Sequence, residues 1–372
     1  MQIPLPFAKV TAMYRRLLLK SPISIVTFYT GSNLTQLSLF MVGLTPTMVG
    51  MLFMQVLSYN RIFGLGALSQ RQMGYLQQIF TLIFAVIQSA ALTFGFGLTK
   101  TVYQAIAVII ILTAGSMFVT WLGNLNGTYG IGGTIMLILV NILTGTLPNI
   151  RQSVNNLLDL PNGKFYVFLL MLMGLGIAMF WLAFMRAYYP VKMVDINESS
   201  RTKPRILPLG LNAGAMMTIM IGMALIMMPL TFGGFFPQLT FLTNPIFDAV
   251  FAGVMTFFLF YFFTFVQYQP ESMARGMRGN GLYIIGIHPG RPTQLYLRHK
   301  LWTLSLLGAV LNTFTMVFGM LGPRFLGKYS GFALIPMNVM MILMFMSGIQ
   351  EQIEMYLIPR QYEKFNNKET NL

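Results

Sequence analysis

Long stretches without a charged side chain alternate along this chain with short basic ones. The repeat length is that of a membrane crossing. A hydrocarbon core about 30 Å thick takes about 20 mostly apolar residues to span as a helix. Residues 77–98, 102–122, 131–150, 165–184, 211–232, 247–266, 301–321 and 330–348 each read as such a helix, and Asp248, at the edge of its segment, is the only Asp, Glu, Lys or Arg in them. The stretch 21–59 is less regular. It begins polar, with Thr27, Thr30, Ser32, Asn33, Thr35, Gln36 and Ser38, and turns strongly apolar after Pro46. Pro46 therefore opens an apolar half-helix over 47–57. A break at membrane depth is tolerated only where the backbone is buried in protein or lines a cavity.

Composition removes the soluble alternatives. Of 372 residues, 55% are apolar and 9% charged, against about 25% charged in a soluble globular chain. Disorder is excluded as well, because 32 Phe and 31 Met would collapse in water. The absence of cysteine removes disulfides, thiolate nucleophiles and cysteine metal sites. His288 and His299, eleven apart in one polar stretch, do not have a metal-ligand spacing. No metal, cofactor or catalytic group is expected.

The net charge of +15 fits either nucleic acid or cytoplasmic membrane loops, and position decides. With the stretch after Tyr59 placed inside, fifteen of the 24 Lys and Arg fall on that side and five (Lys100, Arg151, Lys164, Arg324 and Lys328) on the other. The bias follows the positive-inside rule, so the cations belong to membrane loops and no nucleic acid is implied. Lys9, Arg15, Arg16 and Lys20 precede the first hydrophobic stretch and would break the rule if 21–59 were the first crossing.

Coupled transporters and pumps carry ionisable groups inside the bilayer. Here the mid-span polar residues are uncharged: Gln88, Asn141, Asn212, Asn312 and Asn338. A proton-coupled transporter, a pump and a charge-selective channel are therefore disfavoured. Gly322-Pro-Arg-Phe-Leu-Gly-Lys328 imitates a phosphate loop, but Tyr329 stands where Ser or Thr would hold magnesium, and no strand precedes it. Gly130, Gly132 and Gly133 read as a loop leading into a helix. The long basic segment 267–300 holds Gly281, Gly286, Pro289, Gly290 and Pro292 around a short β-rich run, which predicts a protruding hairpin and a docking surface for a cytoplasmic partner.

In order along the chain, Tyr29-Thr-Gly-Ser-Asn through Leu44-Thr-Pro46, Ile87-Gln-Ser89, Trp121-Leu-Gly123, Gly130-Ile-Gly132, Leu147-Pro148, Pro208-Leu-Gly-Leu-Asn212, Phe265-Val-Gln-Tyr-Gln-Pro-Glu271, Gly286-Ile-His-Pro-Gly290 and Arg360-Gln-Tyr-Glu363 resemble SecY, the central subunit of the protein-translocation channel. The resemblance implies an all-α membrane protein of two inverted helical halves, hinged around a central pore: 1–150 with the plug and broken half-helix, and 151–372 with five spans and two cytoplasmic docking loops. About nine spans are expected. The family's first span is missing ahead of Met1-Gln-Ile-Pro-Leu-Pro6, through a late start or a degenerate copy, and the four stranded N-terminal cations would then lead to the plug.

Carried over residue by residue, the resemblance implies a pore ring of Leu44, Met48, Leu139, Leu143, Met220 and Met341. Leu and Met stand there where the family favours isoleucine. The plug falls on 22–34. Gln88 and Asn212 match polar positions of a lateral gate between the half-helix with the Gln88 span and the spans holding Asn212 and 247–266. Motor docking falls on Arg186, Arg275, Arg278, His288 and Arg291. The partners implied are a SecA-type ATPase, small SecE- and SecG-like membrane subunits, exported polypeptides and lipid, in a bacterial plasma membrane. His288 replaces the family's arginine before Pro-Gly, and Asp195 and Glu198 make the 186–205 loop less basic. Both departures resemble the accessory SecY of Gram-positive bacteria, which works with an accessory SecA and exports serine-rich glycosylated adhesins. A divergent housekeeping SecY is the alternative.

Overall fold

The computed structural model of the chain describes residues 39–40, 42–59, 69–95, 99, 101–195, 205–222 and 245–369. Along it run α1 (Thr45–Tyr59), α2 (Gln70–Gly95), α3 (Val102–Tyr129), α4 (Gly133–Leu158) and α5 (Gly163–Arg186). Two strands follow, β1 (Tyr188–Asp195) and β2 (Arg205–Gly210), then a helix described over 215–222. The remainder is α6 (Pro245–Tyr268), α7 (Pro270–Gly279), β3 (Leu282–Ile284), α8 (Arg291–Leu326), α9 (Ser330–Ala333) and α10 (Ile335–Glu369). Among the described residues, five stretches are long and apolar enough to cross a membrane: Arg71–Phe94, Val102–Tyr129, Gly163–Arg186, Ile246–Gly279 and Arg291–Ala333. The plug segment 22–34 and the remainder of the 211–232 span lie outside the described residues.

Lipid tails give no hydrophobic drive between helices, so close packing through small and hydroxylic side chains has to hold a bundle together. Two helices show it. α3 buries Ala105, Val108, Leu112, Thr113, Gly115, Ser116, Thr120 and Gly123 on one side. α8 buries Ser305, Gly308, Ala309, Asn312, Thr315, Gly319 and Gly322. α5 is the opposite case: only Gly163, Trp181 and Phe184 are buried, and Phe168, Leu172 and Met179 face outward. Apolar on nearly every side, α5 is a lipid-facing helix.

Pro46 sits in the first turn of α1, where its missing N–H has no carbonyl to serve; the expected half-helix is present. The glycine cluster also reads as expected. Gly132, at φ 82°, caps α4, and only glycine takes that conformation without strain. The near phosphate loop is helical: 322–326 close α8 and Gly327–Tyr329 form a 3-10 turn.

The predicted hairpin is corrected. The β-rich run does form a strand, but β3 pairs with β1, not with a neighbour of its own segment. Met193, Val194 and Asp195 lie opposite Ile284, Tyr283 and Leu282. β1 pairs on its other edge with β2, Tyr188 opposite Gly210 through Met193 opposite Arg205. The sheet order is β2-β1-β3, antiparallel throughout. The two cytoplasmic segments thus fuse into one cap over Val191, Met193, Leu209, Met277, Ile284, Leu297 and Leu301. The segment 267–300 is accordingly less a loop than α7, β3 and the first ten residues of α8. At 1.5 Å per residue, α8 is about 54 Å long, well beyond the hydrocarbon, so its N-terminal turns stand clear of the bilayer.

The contacts agree with the grouping of helix ends that alternating loops predict. Ends placed inside meet each other: Gly132 N–H donates to Gln352 Oε1 at 3.0 Å. Ends placed outside do likewise: Gly331 N–H donates to Ser153 Oγ at 3.1 Å and Asn156 Nδ2 to Lys328 O at 3.1 Å.

Candidate functional site

Leu44, Met48, Met220 and Met341 come from three places far apart in the chain and are 2%, 2%, 6% and 1% exposed. They share one apolar cluster with Val42, Val49, Ile138, Ile142, Ile219, Met337 and Met344, and Leu139 packs against it. This cluster joins α1 and α4 of the first half to the 215–222 helix and α10 of the second. Leu143, one turn beyond Leu139, is 37% exposed and Leu147 is 61% exposed. Along α4 this row of residues thus passes from packed to open, and near its outer end Leu147, Arg151, Gln152 and Asn155 line a second hollow of about 350 Å³.

At the helix ends that the charge pattern places inside, the bundle opens into a cavity of about 840 Å³. Its apolar wall includes Met185, Met216, Met217, Phe263 and Met344, and its polar rim Arg186, Asn212, Gln267, Gln269, Glu351 and Glu354. Sequence reasoning missed this methionine wall. The signal was available at helical spacing: Met216 and Met217 precede Met220 by one turn, and Met344 follows Met341 by three residues. Unbranched thioether side chains adapt to irregular apolar surfaces.

Gln88 is half-buried on α2, and among the described residues its side chain is not bonded to Asn212. Asn212 faces this cavity and turns to α8, its Oδ1 accepting from Asn312 Nδ2 at 2.9 Å. α1 packs on α2, α2 on α3 and α6 on α8, whereas neither α1 nor α2 packs extensively on α6 or α8 among the described residues. Of the two helices expected on the far side of the gate, α6 thus makes few contacts with α1 and α2, and the Asn212 span is described only to residue 222.

The expected docking residues gather at the cytoplasmic end. Arg186 closes α5, Arg275 and Arg278 project from the exposed face of α7, and His288 lies exposed between β3 and Arg291, the first residue of α8. Arg275 donates to Glu271 one turn earlier, and Arg205 lies 3.5 Å from Asp195 across the β1–β2 pair. The fusion of both segments into one sheet brings Arg275, Arg278, His288 and Arg291 onto one cap, with Arg186 at the end of α5, directly before β1.

Among known proteins, a chain from Lactobacillus johnsonii described as "Accessory Sec system protein translocase subunit SecY2" is 44% identical over 97% of this chain and 92% of its own length. One of the same description from Streptococcus pneumoniae is 29% identical over 90% and 86%. The solved structure described as "The structure of a protein conducting channel" shares the fold with a TM-score of 0.57, at 14% identity over 95% of this chain and 94% of that one. The family model described as SecY matches residues 38–349. A protein with this fold and this continuous match along its length is a multi-pass membrane protein, and the chain belongs to the SecY family.

Proposed function

We propose that this chain is the pore-forming subunit of an accessory Sec export channel in a bacterial plasma membrane. The observation that supports the reading is the burial of Leu44, Met48, Met220 and Met341 in one apolar cluster that adjoins, through Met344, an open methionine-walled cavity. An extended chain entering from the cytoplasm meets adaptable apolar side chains, not fixed charges, and parts them without regard to its own sequence. When it has passed, the ring closes again because wetting it is unfavourable. Ile138, Ile142 and Leu139 line the first half's share of the seal.

The lateral route lies along the seam between α1 with α2 and the 215–222 helix with α6. An apolar segment of the cargo reaches lipid there, an exchange that favours such helices by several tenths of a kcal/mol per apolar residue, about −0.3 to −0.6 for Leu, Ile, Phe and Val. Force comes from a SecA-type ATPase, of the accessory type, seated on the cap that carries Arg186, Arg275, Arg278, His288 and Arg291. Small SecE- and SecG-like subunits complete the assembly, and the cargo is unfolded secretory protein, with serine-rich glycosylated surface adhesins as its main class. The accessory reading is supported over a housekeeping one by the descriptions of both relatives reported above and by His288, Asp195 and Glu198.

The natural absence of cysteine makes the test direct. In the assembled translocase, Met48→Cys should crosslink to a stalled exported chain, while Ile110→Cys, 62% exposed on α3, should not. Equal labelling at both positions would refute the pore assignment.

A further inference from the structure

Two of the pore-lining segments, α1 and the one described over 211–222, are each fastened to two helices of their own half, and the fastenings match between the halves. In the first half, a methyl group on Gly50 of α1 would lie 2.8 Å from Thr81 Oγ1 on α2. On α3, Gly115 lies directly under the carbonyl of Leu39, and Ser116 Oγ donates to Gly43 O at 2.9 Å. In the second half, a methyl on Gly214 would lie 2.5 Å from Thr264 Oγ1 on α6. On α8, one on Gly308 would lie 2.5 Å from Leu211 O, and Asn312 bonds Asn212. The main parts recur: a glycine against a threonine on one neighbour, a glycine close to a carbonyl on the other, and a side-chain hydrogen bond beside it. The first half adds a second tie between α1 and α3, Thr47 Oγ1 to Thr120 Oγ1 at 2.6 Å.

We propose that Asn312 and Ser116 are positioning residues of the pore, each holding one pore-lining helix against its own half so that Met220 and Met48 meet in the seal. The inference rests on the channel reading. Asn312 is fully buried and commits its Nδ2 twice, to Asn212 Oδ1 at 2.9 Å and to Gly308 O at 2.8 Å. The second bond is internal to α8; the first alone reaches the pore helix. Ser116, also fully buried, receives the start of α1 through the last turn before Thr45. Because the two bonds sit in different halves, each governs one wall of the pore and neither depends on the other.

The experiment measures resting ion leak through cargo-free channels in vesicles holding the assembled translocase, per channel still able to export. Asn312→Ser keeps a hydroxyl that donates to Gly308 O but cannot span to Asn212. It and Asn212→Ala should each raise the leak about threefold, the size expected for one interhelical hydrogen bond in a membrane. Combined, they should still give about threefold, because they remove the same bond. Ser116→Ala should give about threefold alone and about ninefold with Asn312→Ser, because the walls are independent. Unchanged leak, or multiplication within the Asn pair, overturns the positioning role while export by the unmodified chain leaves the channel reading standing. Failure of the unmodified chain to export defeats both.

Discussion

A methyl group added at Gly214 would stand 2.6 Å from Phe260 O and 2.9 Å from Thr264 N, whereas one added at Gly174 on α5 would meet nothing within 4 Å. The same substitution therefore has opposite signs at the two positions. Gly214→Ala forces backbone apart and should destabilise by about 1–3 kcal/mol. Gly174→Ala only removes the helix cost of glycine and should stabilise by up to about 1 kcal/mol. Thermal unfolding of the two purified variants in detergent checks this, and a lower melting temperature for Gly174→Ala would contradict the lipid-facing placement of α5. Residue identity alone does not distinguish these glycines, since both lie in apolar runs. The same limit applies to the ring. Leu44, Met48, Met220 and Met341 were named from the family pattern and are all buried within one extended apolar cluster, yet nothing in the composition of α4 separates packed Leu139 from half-open Leu143. That difference depends on which turn of α4 faces α10.

Elements were legible where one interaction dominates. Lipid imposes helices on apolar runs, so seven of the eight predicted spans correspond to long helices, and the eighth is described as a turn over 211–214 and a helix over 215–222. The cytoplasmic sheet was only half legible. Tyr188–Asp195 alternates buried and exposed positions, but its partner β3 begins 87 residues later, and a pairing so distant leaves no mark in the local pattern. Register can be tested with thiols. Val194→Cys with Tyr283→Cys, which face each other directly, should oxidise to a disulfide visible as a mobility shift on gels. Val194→Cys with Ile284→Cys, one residue off and on the other face, should stay reduced. The reverse result would mean that the strands have slipped.

At the scale of the whole molecule, charge placed the loops, and the contacts between ends agree with the grouping that alternating loops predict. No count of cations could show that the two inside segments are one body, because that fact lies in hydrogen bonds and not in charge. Function at this scale divides the accessory reading from the housekeeping one. Deleting the chain should leave cells that grow but lack particular surface proteins, measured by comparing cell-wall protein profiles with the parent strain. Loss of viability would instead assign general secretion to it.

The pair of ties between α4 and the final helices, Gly132 to Gln352 at one membrane face and Ser153 to Gly331 at the other, has a directional consequence. A book sewn at head and foot of its spine opens only at the fore-edge, however hard it is pulled. If the bundle parts as proposed, stitches so placed leave one edge to open, and every departing segment would enter the same sector of the surrounding lipid.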